Sequence, residues 1–178
     1  RSSAASDVYK RQIHSVPQLS FAVRELWCAA GIVITASHNP PQYNGYKVYW
    51  SHGGQVGPEL AEKIFESIRR ADYFDIDTSS LASVNESQMI CTVSDLVDEA
   101  YYKKALSLRL NPELMQERGA NFRVVYTPLH GAGLVPVTEI LKRAGLKKLR
   151  VVEEQAQPDG DFPTVAAPNP EDPNAFTL

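Results

Sequence analysis

"FRVVYTPLHGAGLVPVTEILKRAGLKKLRVVEE", residues 122 to 154, changes its apolar spacing from that of a strand to that of a helix and back. FRVVYT is a β-branched run, PLHGAG a tight glycine-containing loop, VPVTEILKRAG a helical stretch and LRVVEE a second strand. Within the helical stretch Val137, Ile140, Leu141 and Ala144 share one face, and Gly145 stands where a left-handed residue closes a helix. Strand, helix and strand in this order make a β-α-β crossover. Such a unit implies parallel pairing and a sheet with further strands, which places the chain in the α/β class.

Upstream, "GIVITASHNPPQYNGYKVYW", residues 31 to 50, joins two more apolar runs through a polar loop. IVIT, β-branched and uninterrupted, reads as a buried strand, and YKVYW alternates as a strand with one wet face. A serine just past a strand end, in a loop stiffened by Pro40 and Pro41, suits a nucleophile that must stay in one place. His38 and Lys47 offer proton transfer or anion binding, and Asn44-Gly45 permits a positive-φ turn that would bring Lys47 back toward Ser37. The competing reading is a plain strand–loop–strand with polar surface residues, since no G-x-S-x-G elbow is present.

Two other segments invite functional readings. The HGAG turn, residues 130 to 133, sits where a strand meets a helix, a place that binds phosphate through backbone N–H groups. Pro136 follows where a dinucleotide fingerprint needs its third glycine, so a structural turn, with His130 as a loop residue, is the simpler reading. Asp159-Gly160-Asp161 has no third carboxylate in register and reads as a turn rather than a cation loop.

The rest of the chain supplies helices. PQLSFAVRELWCA (17–29) is helical with Pro17 in the first turn and Gly31 as its terminator. ELAEKIFESIRRA, after Pro58, aligns Leu60, Ile64, Phe65 and Ile68 on one face. Asp95 is a candidate N-cap for LVDEAYYKKALSL, with Leu96, Ala100, Tyr101 and Leu108 as its apolar stripe, and Asn111-Pro112 breaks that pattern. HGGQV (52–56) is a glycine-rich turn, residues 72 to 94 give few signals, and residues 157 to 174 alternate Gly and Pro as turns.

Composition narrows the function classes. The 178 residues are 43% hydrophobic and 22% charged, as in ordinary globular proteins, and the net charge of −3 gives no reason to expect nucleic acid or an anionic membrane as partner. No apolar run approaches the roughly 20 residues of a membrane span. RSSAASDVYKRQ, residues 1 to 12, has no apolar segment of a secretory signal and reads as a non-native leader. Cys28 and Cys91 are two isolated thiols, which suits a reducing cytoplasm and no disulfide.

TASHNPPQYNGYKVY (35–49) resembles the active-site serine loop of the α-D-phosphohexomutase superfamily, the phosphoglucomutases and phosphomannomutases. VVYTPLHGAG (124–133) and PDGDFPTVAAPNPE (158–171) resemble the start and end of that family's second domain, in the right order. The resemblance covers residues 13 to 178 and leans toward the bacterial phosphoglucomutase and phosphopentomutase-like branch. It implies a three-layer α/β/α sandwich in two partial domains with mixed, mostly parallel sheets. Residues 13–118 would be the C-terminal part of domain I with a connecting helix, and 119–178 a truncated domain II.

The resemblance also implies roles. Ser37 would carry a phosphoryl group, give it to a hexose monophosphate and recover the other phosphate, with glucose 1,6-bisphosphate as the intermediate. Its phosphoserine oxygen would ligate Mg²⁺. Lys47 would be the general acid/base, His38 would handle phosphate and Asn39 would shape the loop. The family's D-G-D-x-D-R metal loop is absent from this chain, so Asp159 and Asp161 inherit no metal role and a fragment without turnover is expected. The partner implied is a small phosphosugar, with glucose favoured over mannose or pentose, and no oligomeric state is implied. Two rivals stand beside this reading: a non-catalytic α/β fragment or binding module, and a nucleotide- or cofactor-binding domain using the HGAG turn.

Overall fold

The computed structural model describes residues 13–37, 39, 41–72, 93, 95–166, 168–169 and 171–177. The first helix, α1 (Val16–Glu25), starts after Ser15, whose backbone N–H donates to Gln18 Oε1 at 2.9 Å, with Pro17 in the first turn. The helix ends at Leu26, and Trp27 takes a left-handed conformation with φ 54°. Gly31 is therefore not the terminator. It lies inside strand β1 (Ala30–Thr35), where an added Cβ would meet Val23 Cγ2 at 2.5 Å and Leu19 Cδ1 at 3.2 Å. Glycine lets this strand lie directly on α1.

β1 pairs antiparallel with β2 (Gly45–Trp50), from Ala30 opposite Trp50 to Thr35 opposite Gly45. Chain reversal at HGGQV brings Gln55 beside Tyr49, and Val56 N–H bonds the Val48 carbonyl at 3.0 Å. The Ser20 hydroxyl of α1 donates to the Gly53 carbonyl at 2.5 Å and pins that turn to the helix. Burial alternates along β1: Gly31, Val33 and Thr35 turn inward, while Ile32 and Ile34 stand 62% and 69% exposed. IVIT is thus half-covered rather than buried on both faces. α1 covers one side, and among the described residues no element covers the other.

Helix α2 (Pro58–Arg70) follows the strongly amphipathic segment, yet buries none of its residues. Helix α3 (Asp95–Ser107) departs from the expected stripe: Leu96 is 83% exposed and Tyr102 only 4%. The reason is geometric, since α3 packs on α1 with one side and on the crossover helix with another. Asp95 opens this helix as its first residue. Asn111-Pro112 does more than end a pattern, because Pro112 begins a further helix, α4 (Pro112–Arg118), at a position where its missing N–H is harmless.

The crossover forms as its spacing predicts. β3 (Arg123–Tyr126) and β4 (Lys148–Val151) pair in parallel around helix α5 (Leu134–Arg143). Gly145 has φ +111°, its N–H bonds the Lys142 carbonyl at 3.0 Å, and Leu146 N–H bonds the Leu141 carbonyl at 3.1 Å. That pair of bonds is the Schellman closure. Its tightness is shared, since a Cβ on Gly145 would meet the Met115 carbonyl of α4 at 2.8 Å. Strands β1–β2 and β3–β4 thus give one antiparallel and one parallel pair within an α/β architecture. The segment after β4 is a series of turns, including short 3-10 pieces at Glu153–Gln155 and Pro173–Phe176.

Candidate functional site

Ser37 lies two residues beyond the end of β1, at the exposed rim of the β1–β2 pair. Its φ of 59° is a left-handed conformation rarely adopted by side-chain-bearing residues. Two bonds hold it there. The Ser37 backbone N–H donates to Thr35 Oγ1 at 2.9 Å, and the Asn39 N–H donates to the Ala36 carbonyl at 3.1 Å. The second bond closes a β-turn with Ser37 at its first central position, where positive φ marks the primed turn types. Asn39 shapes the loop through its backbone. Among the described residues nothing hydrogen-bonds the Ser37 hydroxyl, which faces solvent.

The expected source of positive φ was Asn44-Gly45, and here the structure differs. Gly45 is extended as the first residue of β2 and its N–H takes Asn44 Oδ1 at 3.2 Å. The reversal is made earlier, by the Ser37 turn and by a 3-10 turn at Pro41–Tyr43. Strain therefore falls on the serine itself. Residues in sparsely populated backbone regions cost roughly 1–3 kcal/mol and cluster at functional sites.

Lys47 sits in β2 opposite Val33, on the inward face it shares with Thr35. It is half-buried and has no carboxylate partner among the described residues. The register sets it two pairs back from the rim, and no hydrogen bond joins it to Ser37. A bound group would have to bridge them. His38 and Pro40 lie outside the described residues, as do Cys91 and residues 1–12. Cys28 is a half-buried free thiol.

The second candidate, the HGAG turn, has spent its donors internally. Leu129 N–H bonds Thr127 Oγ1 at 3.0 Å, His130 N–H the Gln155 carbonyl at 2.9 Å, and Gly131 N–H the Pro128 carbonyl at 2.9 Å. His130 is buried, with Nδ1 3.0 Å from the Gln157 carbonyl and Nε2 2.9 Å from Thr164 Oγ1. Gln155, the most buried side chain, accepts from Thr127 Oγ1 at 2.6 Å and donates to Thr164 Oγ1 at 3.2 Å. This closed network ties the turn to the segment after β4. It is a structural joint, and sequence reading missed Gln155 because nothing in its neighbours marks a buried amide.

Asp159 and Asp161 make a turn, with Asp161 N–H on Asp159 Oδ1 at 2.9 Å. Among the described residues no three His, Cys, Asp or Glu side chains converge into a metal site. A divalent cation needs several oxygen ligands, so the residues present do not by themselves form its site.

Comparison with known proteins agrees with this arrangement. The family description "Phosphoglucomutase/phosphomannomutase, alpha/beta/alpha domain I" matches residues 2–74, and "alpha/beta/alpha domain II" of the same family matches residues 99–178. A phosphoglucomutase of Staphylococcus saprophyticus is 41% identical over 174 residues, covering 97% of this chain and 30% of that protein. A protein of Haemophilus influenzae named "Probable phosphomannomutase" is 35% identical over 165 residues, covering 91% of this chain and 32% of its own length. A crystal structure described as a phosphomannomutase from Thermus thermophilus superposes with a TM-score of 0.63 at 29% identity, over 87% of this chain and 32% of that one. The chain thus spans about a third of the length of these relatives.

Proposed function

Because the chain belongs to the phosphoglucomutase/phosphomannomutase family, we propose that it is part of a phosphosugar mutase that interconverts hexose 1-phosphate and 6-phosphate, with glucose as the sugar. The observation that carries this reading is Ser37, held at φ 59° on a solvent-facing turn with its hydroxyl unengaged. A serine so placed presents its oxygen to a substrate without first breaking a bond. Phosphoryl transfer asks mainly for positioning and charge stabilisation, which a strained, pinned turn supplies.

Two transfers make up the reaction. A phosphoryl group leaves Ser37 Oγ for a hydroxyl oxygen of the sugar monophosphate, and the hydroxyl proton passes to a base. The resulting bisphosphate reorients, and Ser37 Oγ takes the other phosphoryl group as the freed sugar oxygen regains a proton. Lys47 is the residue of this chain we assign to that proton exchange, with its ammonium form pairing with phosphate oxygens. Its half-buried place below the rim, free of carboxylates among the described residues, supports the assignment. Asn39 keeps the turn closed, and His38 is assigned to phosphate contact on the resemblance of its motif.

Mg²⁺ belongs to this proposal only for the full-length enzyme, since the residues of this chain do not make its site, and no step above runs through it. We place residues 13–118 in the first domain with its connecting helix, residues 119–178 in the second, and the protein in the cytoplasm. The test is a coupled assay of the full-length enzyme on glucose 1-phosphate. Ser37→Ala should abolish turnover, and turnover at the wild-type rate in that variant would overturn the proposal.

A further inference from the structure

Consecutive residues of α3 hold different neighbours. Asp98 reaches α1, where its Oδ1 accepts from Gln18 Nε2 at 2.9 Å and its Oδ2 lies 3.0 Å from His14 Nε2. One turn on, the Tyr101 ring meets Phe21 of α1 edge-on with centroids 5.5 Å apart. Glu99 reaches α5 instead, accepting from Arg143 Nη1 and Nη2, both at 2.6 Å. One turn on, buried Tyr102 lies under the Arg143 guanidinium at 4.9 Å, and Glu139 bonds Arg143 Nε at 2.6 Å.

Residues three apart on a helix share a face. Asp98 with Tyr101 and Glu99 with Tyr102 are therefore two parallel stripes, one for each neighbouring helix. α1 lies on the β1–β2 pair that carries Ser37, and α5 lies on β4. The match to the second family domain begins at residue 99, so the change of partner falls at the domain join.

We propose that α3 is a splint that sets the relative orientation of the β1–β2 and β3–β4 units, with Asp98 clamping one side and the Glu99–Arg143 pair the other. The splint explains why α3 lacks a single apolar stripe. A helix gripped from two directions divides its contacts between two narrow faces, each with one polar anchor and one aromatic ring. Polar anchors with fixed geometry define an orientation, whereas an apolar seam alone permits sliding. Asp98, Glu99 and Arg143 are positioning residues.

The test is the distance between nitroxide labels at Ser51→Cys and Glu154→Cys in the full chain, with Cys28→Ser and Cys91→Ser as background. The unaltered splint should give one narrow distance. Asp98→Ala, Glu99→Gln or Arg143→Ala should shift or broaden it by about 2 Å or more, the scale of a domain rearrangement. The exchanged pair Glu99→Arg with Arg143→Glu should narrow it again. Glu99 is exposed, so Glu99→Gln keeps the test valid if Arg143→Ala unfolds, with circular dichroism as the check. Distances as narrow as the parent's in Asp98→Ala and Glu99→Gln, with helix content unchanged, would overturn the proposal.

Discussion

Ser37 occupies a backbone conformation more natural to glycine, and it keeps that conformation because Thr35 Oγ1 and the Ala36–Asn39 turn hold it. The motif around it was readable as a candidate nucleophile loop, whereas the location of the strain was not. Glycine normally carries positive φ, so Asn44-Gly45 was the natural guess, yet pairing with Thr35 draws Gly45 into β2. Lys47→Ala in the full-length enzyme should lower turnover by on the order of 10²–10⁴, as expected for loss of a proton-transfer group; a steady-state assay reads it. Gly31→Ala tests packing rather than chemistry. With Val23 Cγ2 at 2.5 Å from the new methyl, it should destabilise the chain by about 1–3 kcal/mol in urea unfolding.

Elements were legible where one neighbour decides the pattern. The crossover of β3, α5 and β4 has one sheet to pack on, and its spacing and Gly145 closure read directly from the letters. α3 was legible as a helix but its buried face was not, because two partners on different sides leave no single period. Pro112 likewise signals both an ending and a beginning, and only the position of α4 decides between them. Two predictions belong here. The hydrogen bond from Arg143 holds the Glu99 carboxyl below the ordinary glutamate range. A lowered folded-state value means the pair's contribution is present above the unfolded-state value and is lost as pH falls through the folded one. The label distance across α3 should therefore stay constant from neutral to mildly acid pH and broaden only below the ordinary glutamate range. Gln155→Leu should cost about 1–3 kcal/mol, because Thr127 and Thr164 lose a buried partner; thermal unfolding measures it.

For the whole molecule, the α/β class and the two-unit order followed from the sequence, because the periods and the three family-like stretches occur in a fixed order. Full burial of IVIT did not follow, since coverage is a property of neighbours and not of the strand. Ile32, Ile34, Tyr46 and Trp50 all stand exposed on the outer side of β1–β2. The 178-residue chain alone should show no mutase turnover, as it contains no D-G-D-x-D-R stretch and its described residues converge on no metal site. The most direct test of Ser37 as the phosphoryl carrier is mass analysis of the full-length enzyme before and after exposure to unlabelled sugar phosphate. Phosphate localised to Ser37, chased onto the sugar and absent in Ser37→Ala, is the predicted result. An enzyme that turns over while carrying its exchangeable phosphate elsewhere would contradict it.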